Sequence, residues 1–293
     1  MLKPCVMIGL AAGAALLVAQ NLQTITKLIT VEARHGTDVP TLKPVDVTVT
    51  VRGDRTRVSS LMPLAGTDAG LELFLLIDDS VDPSLGSQFN ELRNFIQDQP
   101  SSTAVGVASM DRGSATILQP LTNDHAAAAQ ALRLPNWKGG PSPYESVHDL
   151  IKHWPTSSAS VRREIVMISN GADSTETPEP FDASLDIAIQ DAQRAGIIIY
   201  TIYAPSSRNA STSSNLSWSK ARLSRLAEET GGESYVPPFG PAINFAARLR
   251  NQYRVTFLVK PGHRGEFRDL KFSTELPTAS ISAPRKIWIP AQH

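Results

Sequence analysis

Two apolar segments, Leu71-Glu-Leu-Phe-Leu-Leu-Ile77 and Glu164-Ile-Val-Met-Ile-Ser169, each run straight into a cluster of oxygen-bearing residues. The first meets Asp78-Asp79-Ser80-Val81-Asp82 and the second Asn170-Gly171-Ala172-Asp173. Near-continuous Leu, Ile and Val over this length marks strands covered on both faces, as in the middle of a parallel sheet. Parallel neighbours finish on the same edge, so the two tips are expected on one rim of an α/β sheet. Open α/β sheets bind ligands on that rim, because the strand ends and the loops beyond them leave a crevice there.

The pattern around these strands fits that body. From Leu71 to about Pro237 strand signals (71–77, 103–110, 114–119, 164–169, 197–203, 233–236) alternate with helical ones (86–98, 125–134, 144–154, 182–195, 217–230). Glycines stand just past two helix ends, in Ala195-Gly196 and Thr230-Gly231, as helix C-caps require. Alternation of this kind predicts an α/β fold: a doubly wound, mainly parallel sheet with helices on both faces. A half-buried strand is expected at Asp46–Arg52, where β-branched and polar residues alternate, followed by a turn-rich stretch at 53–70. After a last helix at 239–250, strands are expected at 251–259, 267–274 and 286–289, forming with 46–52 a small β unit built from both chain ends. The expected division is a leader at 1–19, an N-terminal β segment at 20–70, the α/β domain at 71–238 and a C-terminal helix with strands at 239–293.

The leader reading rests on Lys3 ahead of an apolar run, Val6 to Ala19, and on Leu17-Val-Ala19 before Gln20. That run is shorter than the roughly 20 residues that span a bilayer, which reads as a secretory signal peptide; the alternative is an uncleaved anchor. Export to the periplasm or beyond follows from the first reading, with no stable membrane span after cleavage. The single cysteine, Cys5, falls in the leader, so the mature form would have no disulfide, thiol nucleophile or cysteine-ligated zinc. Lys plus Arg and Asp plus Glu are equal at 28 each, which gives no overall field toward nucleic acid.

Several motifs in order resemble the von Willebrand factor type A domain, most closely an exported bacterial set, the acidobacterial VWFA-related proteins. They are the strand-to-Asp-x-Ser-x junction at 78–82, Gly139-Gly140 followed by Tyr144-Glu145-Ser-Val147, the strand-to-Asn-Gly at 170–171, Arg194-Ala-Gly-Ile-Ile-Ile-Tyr-Thr-Ile202 and Glu228-Glu-Thr-Gly-Gly232. The resemblance spans about residues 71–260 and implies a metal-ion-dependent adhesion site at the carboxyl edge, where a hard cation such as Mg²⁺ takes oxygen ligands and a protein partner completes its shell. Asp78 and Ser80 match the first two ligands. Asp82 stands in place of a second Ser, Pro141 in place of a Thr with Ser142 beside it, and Asn170 in place of an Asp. The implied metal set is therefore Asp78, Ser80, Asp82, Ser142 and Asn170, a degenerate one: Pro offers no side-chain oxygen and Asn is a neutral ligand. Two outcomes stay open, a retained cation and a retained fold without one. Asp79 is expected to face away, since neighbours at a strand end point to opposite sides, and Asp173 to stabilise its loop.

Other chemistry finds little support. The six histidines show no His-Glu-x-x-His spacing, and no phosphate-cradling or dinucleotide glycine motif occurs, so zinc hydrolysis and nucleotide binding are not expected. Ser217-Trp-Ser-Lys220 matches Ser-x-x-Lys but lacks that motif's companions. The polar stretch 205–219 reads as a surface loop or a binding loop, and Trp137 and Trp218 as candidate contacts for a partner. The expectation is a protein-interaction module rather than an enzyme, with a recognition surface made by 78–86, 136–144, 170–181 and 204–219; the alternative is a metal-free structural component of a cell-envelope assembly.

Overall fold

The computed structural model describes residues 22–36, 38–82, 86–136, 142–155, 161–173, 182–206, 213–236 and 245–291. The leader, Trp137, Gly139-Gly140 and Pro141 lie outside the described residues. Fourteen strands are described: β1 (Gln23–Ala33), β2 (Thr48–Val51), β3 (Asp54–Thr56), β4 (Val58–Pro63), β5 (Leu71–Asp78), β6 (Thr103–Asp111), β7 (Ser114–Thr122), β8 (Arg162–Ser169), β9 (Ile197–Tyr203), β10 (Ser234–Tyr235), β11 (Gln252–Val259), β12 (Glu266–Ser273), β13 (Ala279–Ser282) and β14 (Lys286–Ile289). The helices are α1 (Gly86–Gln97), α2 (His125–Gln130), α3 (Pro143–Lys152), α4 (Ala183–Ala195), α5 (Ser213–Thr230) and α6 (Phe245–Arg250).

The central sheet has the order β10-β9-β8-β5-β6-β7. Numbered within the sheet this is 6-5-4-1-2-3, the doubly wound arrangement whose strand order reverses between its first and fourth strands. β5 runs parallel to both β8 and β6, and only the edge strand β7 is antiparallel. This is the doubly wound, mainly parallel α/β body that the alternation predicts. Both faces of β5 are covered: Leu71, Leu73, Leu75 and Ile77 pack with Phe89, Leu92, Ile96, Ala128 and Ala129 of α1 and α2, whereas Phe74 and Leu76 pack with residues of α3, α4 and α5. α4 starts on Asp182, whose side chain accepts from the Leu185 N–H, and stops at Gly196 with φ of 69°, a left-handed cap that favours glycine.

The remaining strands form two four-stranded sheets, β13-β1-β11-β4 and β14-β12-β2-β3. Ile29, Val31, Val255 and Phe257 of one face Val49, Leu270, Phe272 and Ile287 of the other across a shared core. Both sheets mix strands from the two chain ends. The N-terminal part departs from the sequence reading. β1 was not expected, yet it is central in its sheet and pairs β11 from Gln23↔Val259 to Thr30↔Gln252. The stretch read as turns carries β3 and β4, and β13 was also missed. Both tight hairpins, β2–β3 and β6–β7, turn on Arg-Gly with positive φ at Arg52, Gly53, Arg112 and Gly113, the two-residue turn whose twist suits paired strands.

The β sandwich meets the body at the amino edge of the central sheet, where a buried polar seam joins them. Arg162, the first residue of β8, donates to Leu249 O at 2.6 Å and to Gln252 Oε1. Gln252 donates in turn to Tyr200 Oη at 3.2 Å, and Arg248 pairs with Glu32 at 2.7 Å and Glu233 at 2.6 Å. Within this seam Glu164 is fully buried, its carboxylate beside Gln252 and Tyr200. Arg162 Nη1 lies 3.9 Å away.

Burial pushes the Glu164 carboxyl above its ordinary 4.5; the charge of Arg162, hydrogen bonding from Gln252 and Tyr200 and the charge of Arg248 oppose this only in part. The folded chain therefore holds this proton to higher pH than the unfolded chain, so stability contributed by the protonated form is lost as pH rises above 4.5. Melting temperature should fall across that window in the wild type and fall less steeply in Glu164→Gln, followed by circular dichroism at closely spaced pH values; equal slopes would remove Glu164 as a source.

Candidate functional site

β5 and β8 are adjacent and in register, Ile77 opposite Ile168, which sets Asp78 beside Ser169. This is the point where the strand order reverses, so a crevice opens between the loops that leave the two strands. The chain fills it with a hydrogen-bonded network. Asp78 accepts from the Ser169 hydroxyl at 2.6 Å on Oδ2 and from the Ser80 N–H at 2.8 Å on Oδ1. Asn170 Nδ2 donates to Ser80 Oγ at 3.1 Å, and Asn170 Oδ1 accepts from the Ala172 N–H at 2.8 Å. Asp78, Ser80, Ser169 and Asn170 are all at most 5% exposed.

Burial pushes the Asp78 carboxyl up; the hydrogen bonds from Ser169 and Ser80 pull it down, and the neighbouring Asp79 charge pushes it up again. Asp79 turns to the other side of the strand end, where Arg133 grips both of its oxygens at 3.0 and 2.6 Å and the Asn136 N–H adds a bond at 3.3 Å. Its charge thus fixes the segment at 133–136. Asp173 accepts from Ser184 Oγ at 3.3 Å, joining its loop to the start of α4.

Of the residues expected to hold a cation, Asp78, Ser80 and Asn170 are brought together directly. Asp82 lies two residues after Ser80, and its backbone N–H donates to Pro205 O at 2.9 Å. Ser142 is buried at the start of α3, where its carbonyl accepts from Ser146 Oγ at 3.1 Å; two residues on, Tyr144 reaches Gly171 O at 3.2 Å. Ser169, read from the sequence as a strand end and not as a site residue, is a full member of the network. Its position as the last residue of an apolar strand is the signal that could have found it.

The remaining wall is α5. Gly171 has φ of 70°, and a Cβ there would stand 2.5 Å from Ser219 O, so only glycine lets the helix lie against the turn. Lys220 sits with its ammonium 4.8 Å from the Tyr203 ring centroid, and Arg222 pairs with Asp182 at 2.7 Å. The stretch read as a loop to 219 is thus helical from Ser213 onward.

These residues do not fit an octahedral magnesium site. The Ala172 N–H fixes the Asn170 amide with its oxygen turned into its own loop and its NH₂ aimed at Ser80, which places a donor where a ligand should be. Both Asp78 oxygens already accept from protein donors. Magnesium tolerates such distortion poorly.

No protein-family model and no curated protein matches the chain. Among solved structures it is similar to an aerotolerance-related membrane protein from Bacteroides fragilis, at 16% identity over 61% of this chain and 98% of that one, TM-score 0.47. It is also similar to the von Willebrand factor domain of a type V pilus tip protein from Porphyromonas gingivalis, at 15% over 66% and 94%, TM-score 0.42, and to manganese-loaded TRAP protein of Plasmodium vivax, at 11% over 77% and 96%, TM-score 0.43. Likenesses at this level speak of fold alone.

A cation present at about 100 times its Kd would add about 2.7 kcal/mol to stability, a shift of roughly 5 to 10 °C for a chain of this size. Thermal melting of the wild type should move by less than about 1 °C on adding Mg²⁺ or Mn²⁺. Asn170→Asp should melt lower than the wild type in chelator and recover with Mn²⁺. A cation-dependent rise in the wild type that Asp78→Ala abolishes would show that the network opens to take a metal.

Proposed function

We propose that this von Willebrand A-like chain is an exported protein-interaction module, not an enzyme, which holds a protein partner on the carboxyl edge of its sheet without depending on a bound cation. The observation that carries the reading is the contrast between a closed notch and an apolar rim. Inside, Asp78, Ser80, Ser169 and Asn170 satisfy one another. Around them, Trp218 is 62% exposed and Leu216 36% exposed on the helix packed over Gly171, and Leu134 is 48% exposed on the segment gripped by Asp79. Large apolar side chains held on fixed backbone beside a polar floor suit a protein surface, and exposed Trp is enriched among residues that dominate binding. No nucleotide or nucleic acid is invoked. Among the described residues no helix is long and apolar enough to cross a membrane.

The closed notch also favours a second reading, a metal-free structural component of a cell-envelope assembly in which the same rim packs permanently on a neighbouring subunit. The two differ in exchange. A recognition module releases its partner to excess free chain, whereas a built-in component does not.

Affinity capture from envelope extracts should retain a partner in the presence of chelator, and Trp218→Ala should weaken that capture about 30-fold, the effect of losing roughly 2 kcal/mol at a binding hot spot. Capture that chelator abolishes would mean that the partner is held through a cation. Capture unchanged by Trp218→Ala would move the contact off this rim.

A further inference from the structure

At the far end of the β sandwich, a cleft of about 780 Å³ opens between the two sheets. Its volume falls within the range of ligand sites. Its lining carries Arg52, Arg55, Arg57, Lys260 and Arg268 against Asp54, with apolar surface from Leu22, Val51, Leu258, Val259 and Pro261. In a chain of net charge zero, this is a local concentration of positive charge. We infer that the cleft is a second binding site, one that takes an acidic, extended peptide segment.

The cations are not used up by their neighbours. Arg52 and Arg268 share one carboxylate, Glu266, at 3.0 and 2.8 Å, so two positive charges face a single negative one. Arg57 and Lys260 are exposed and have no ion-pair partner among the described residues. Arg268 is held ready rather than mobile: its side chain is 9% exposed, its Nε donates to Glu266 Oε1 at 2.8 Å, and its Nη1 donates to Lys260 O. The Thr56 hydroxyl donates to Leu258 O and ties the β3 wall to the β11 wall, so the opening between the sheets is set before any ligand arrives. A guanidinium fixed in place loses little freedom on meeting a carboxylate.

The occupant follows from the shape and chemistry of the walls. Among the described residues the three-residue β3 is the terminal strand of its sheet and pairs only with β2, which leaves its outer peptide groups for an added extended chain. A peptide with alternating acidic and apolar side chains would set carboxylates against Arg57 and Lys260 and apolar groups on the apolar surface. Nucleic acid fits less well, because among the described residues no aromatic ring lines the cleft for bases to stack on. A membrane surface is flat and would not reach into a cleft. The site is separate from the carboxyl edge and does not rest on the reading of that edge.

The test uses the full chain and a fluorescein-labelled heptapeptide of alternating Glu and Val, with anisotropy as the readout. Saturable binding is expected, weakening as salt rises and absent for the peptide with Lys in place of Glu. Arg57→Glu with Lys260→Glu should raise Kd at least about tenfold, while Trp218→Ala leaves it unchanged, which separates this site from the carboxyl edge. Melting checks that the charge-reversed protein is folded, and the neutral pair Arg57→Gln with Lys260→Gln should give an intermediate loss. Undiminished affinity in the charge-reversed protein, no binding of the acidic peptide, or tighter binding of an oligonucleotide or of phosphatidylglycerol vesicles would overturn the inference.

Discussion

The parallel pairing of β5 with β8 is the constraint from which the rest of the carboxyl edge follows. These strands are distant in sequence but adjacent at the point where the order of the sheet reverses, so their loops leave in different directions and a gap is unavoidable. A shift of one residue in their register would remove Ser169 from Asp78 and turn Asn170 away from Ser80. The apolar runs prevent that shift. Val166 and Ile168 pack with one set of helices and Ile165 and Met167 with the other, so a slip would force a repacking of both faces.

The same body buries charges at both edges of its sheet and treats them differently. At the carboxyl edge Asp79 has a bidentate arginine, whereas Asp78 has hydroxyl and amide donors and no cation. At the amino edge Arg162 Nη1 donates to carbonyl and amide oxygens, and Glu164 sits nearby with its carboxyl pushed toward the neutral form. Replacing such groups with apolar ones is often neutral or stabilising, so their contribution is to fix position rather than to add stability. Here the position fixed is that of the sandwich, since Gln252 and Arg248 can make their bonds in one docking only. With the sandwich on the amino edge, the carboxyl edge is left open.

Much of this was legible in the sequence because it depends on local pattern. The strands of the central sheet announce themselves by buried runs, the helices by spacing and caps, and the meeting of Asp78 and Ser80 with Asn170 by the topology that the alternation implies. What escaped was non-local. β1 carries the alternation of Ile25, Lys27, Ile29 and Val31, but nothing local says that its partner lies more than 200 residues away at β11. The edge strand β7 reads like the parallel strands beside it, and only the Arg112-Gly113 turn shows that it folds straight back. The helical start of α5 was hidden because Ser and Asn favour turns and caps, and here packing over Gly171 overrides that preference.

The amide at position 170 is better explained by what it does than by what it lacks. A carboxylate accepts hydrogen bonds only, whereas an amide accepts on one side and donates on the other. Asn170 uses both, holding its own loop through Ala172 and Ser80 through its NH₂. An aspartate could keep the first bond, but it would face the Ser80 oxygen with a second acceptor and set another negative charge near Asp78, whose ionisation burial already opposes. That arrangement needs a cation to be stable. The amide removes the need, and it leaves a notch whose shape is fixed by the chain alone, beside the exposed apolar side chains of Leu134, Leu216 and Trp218.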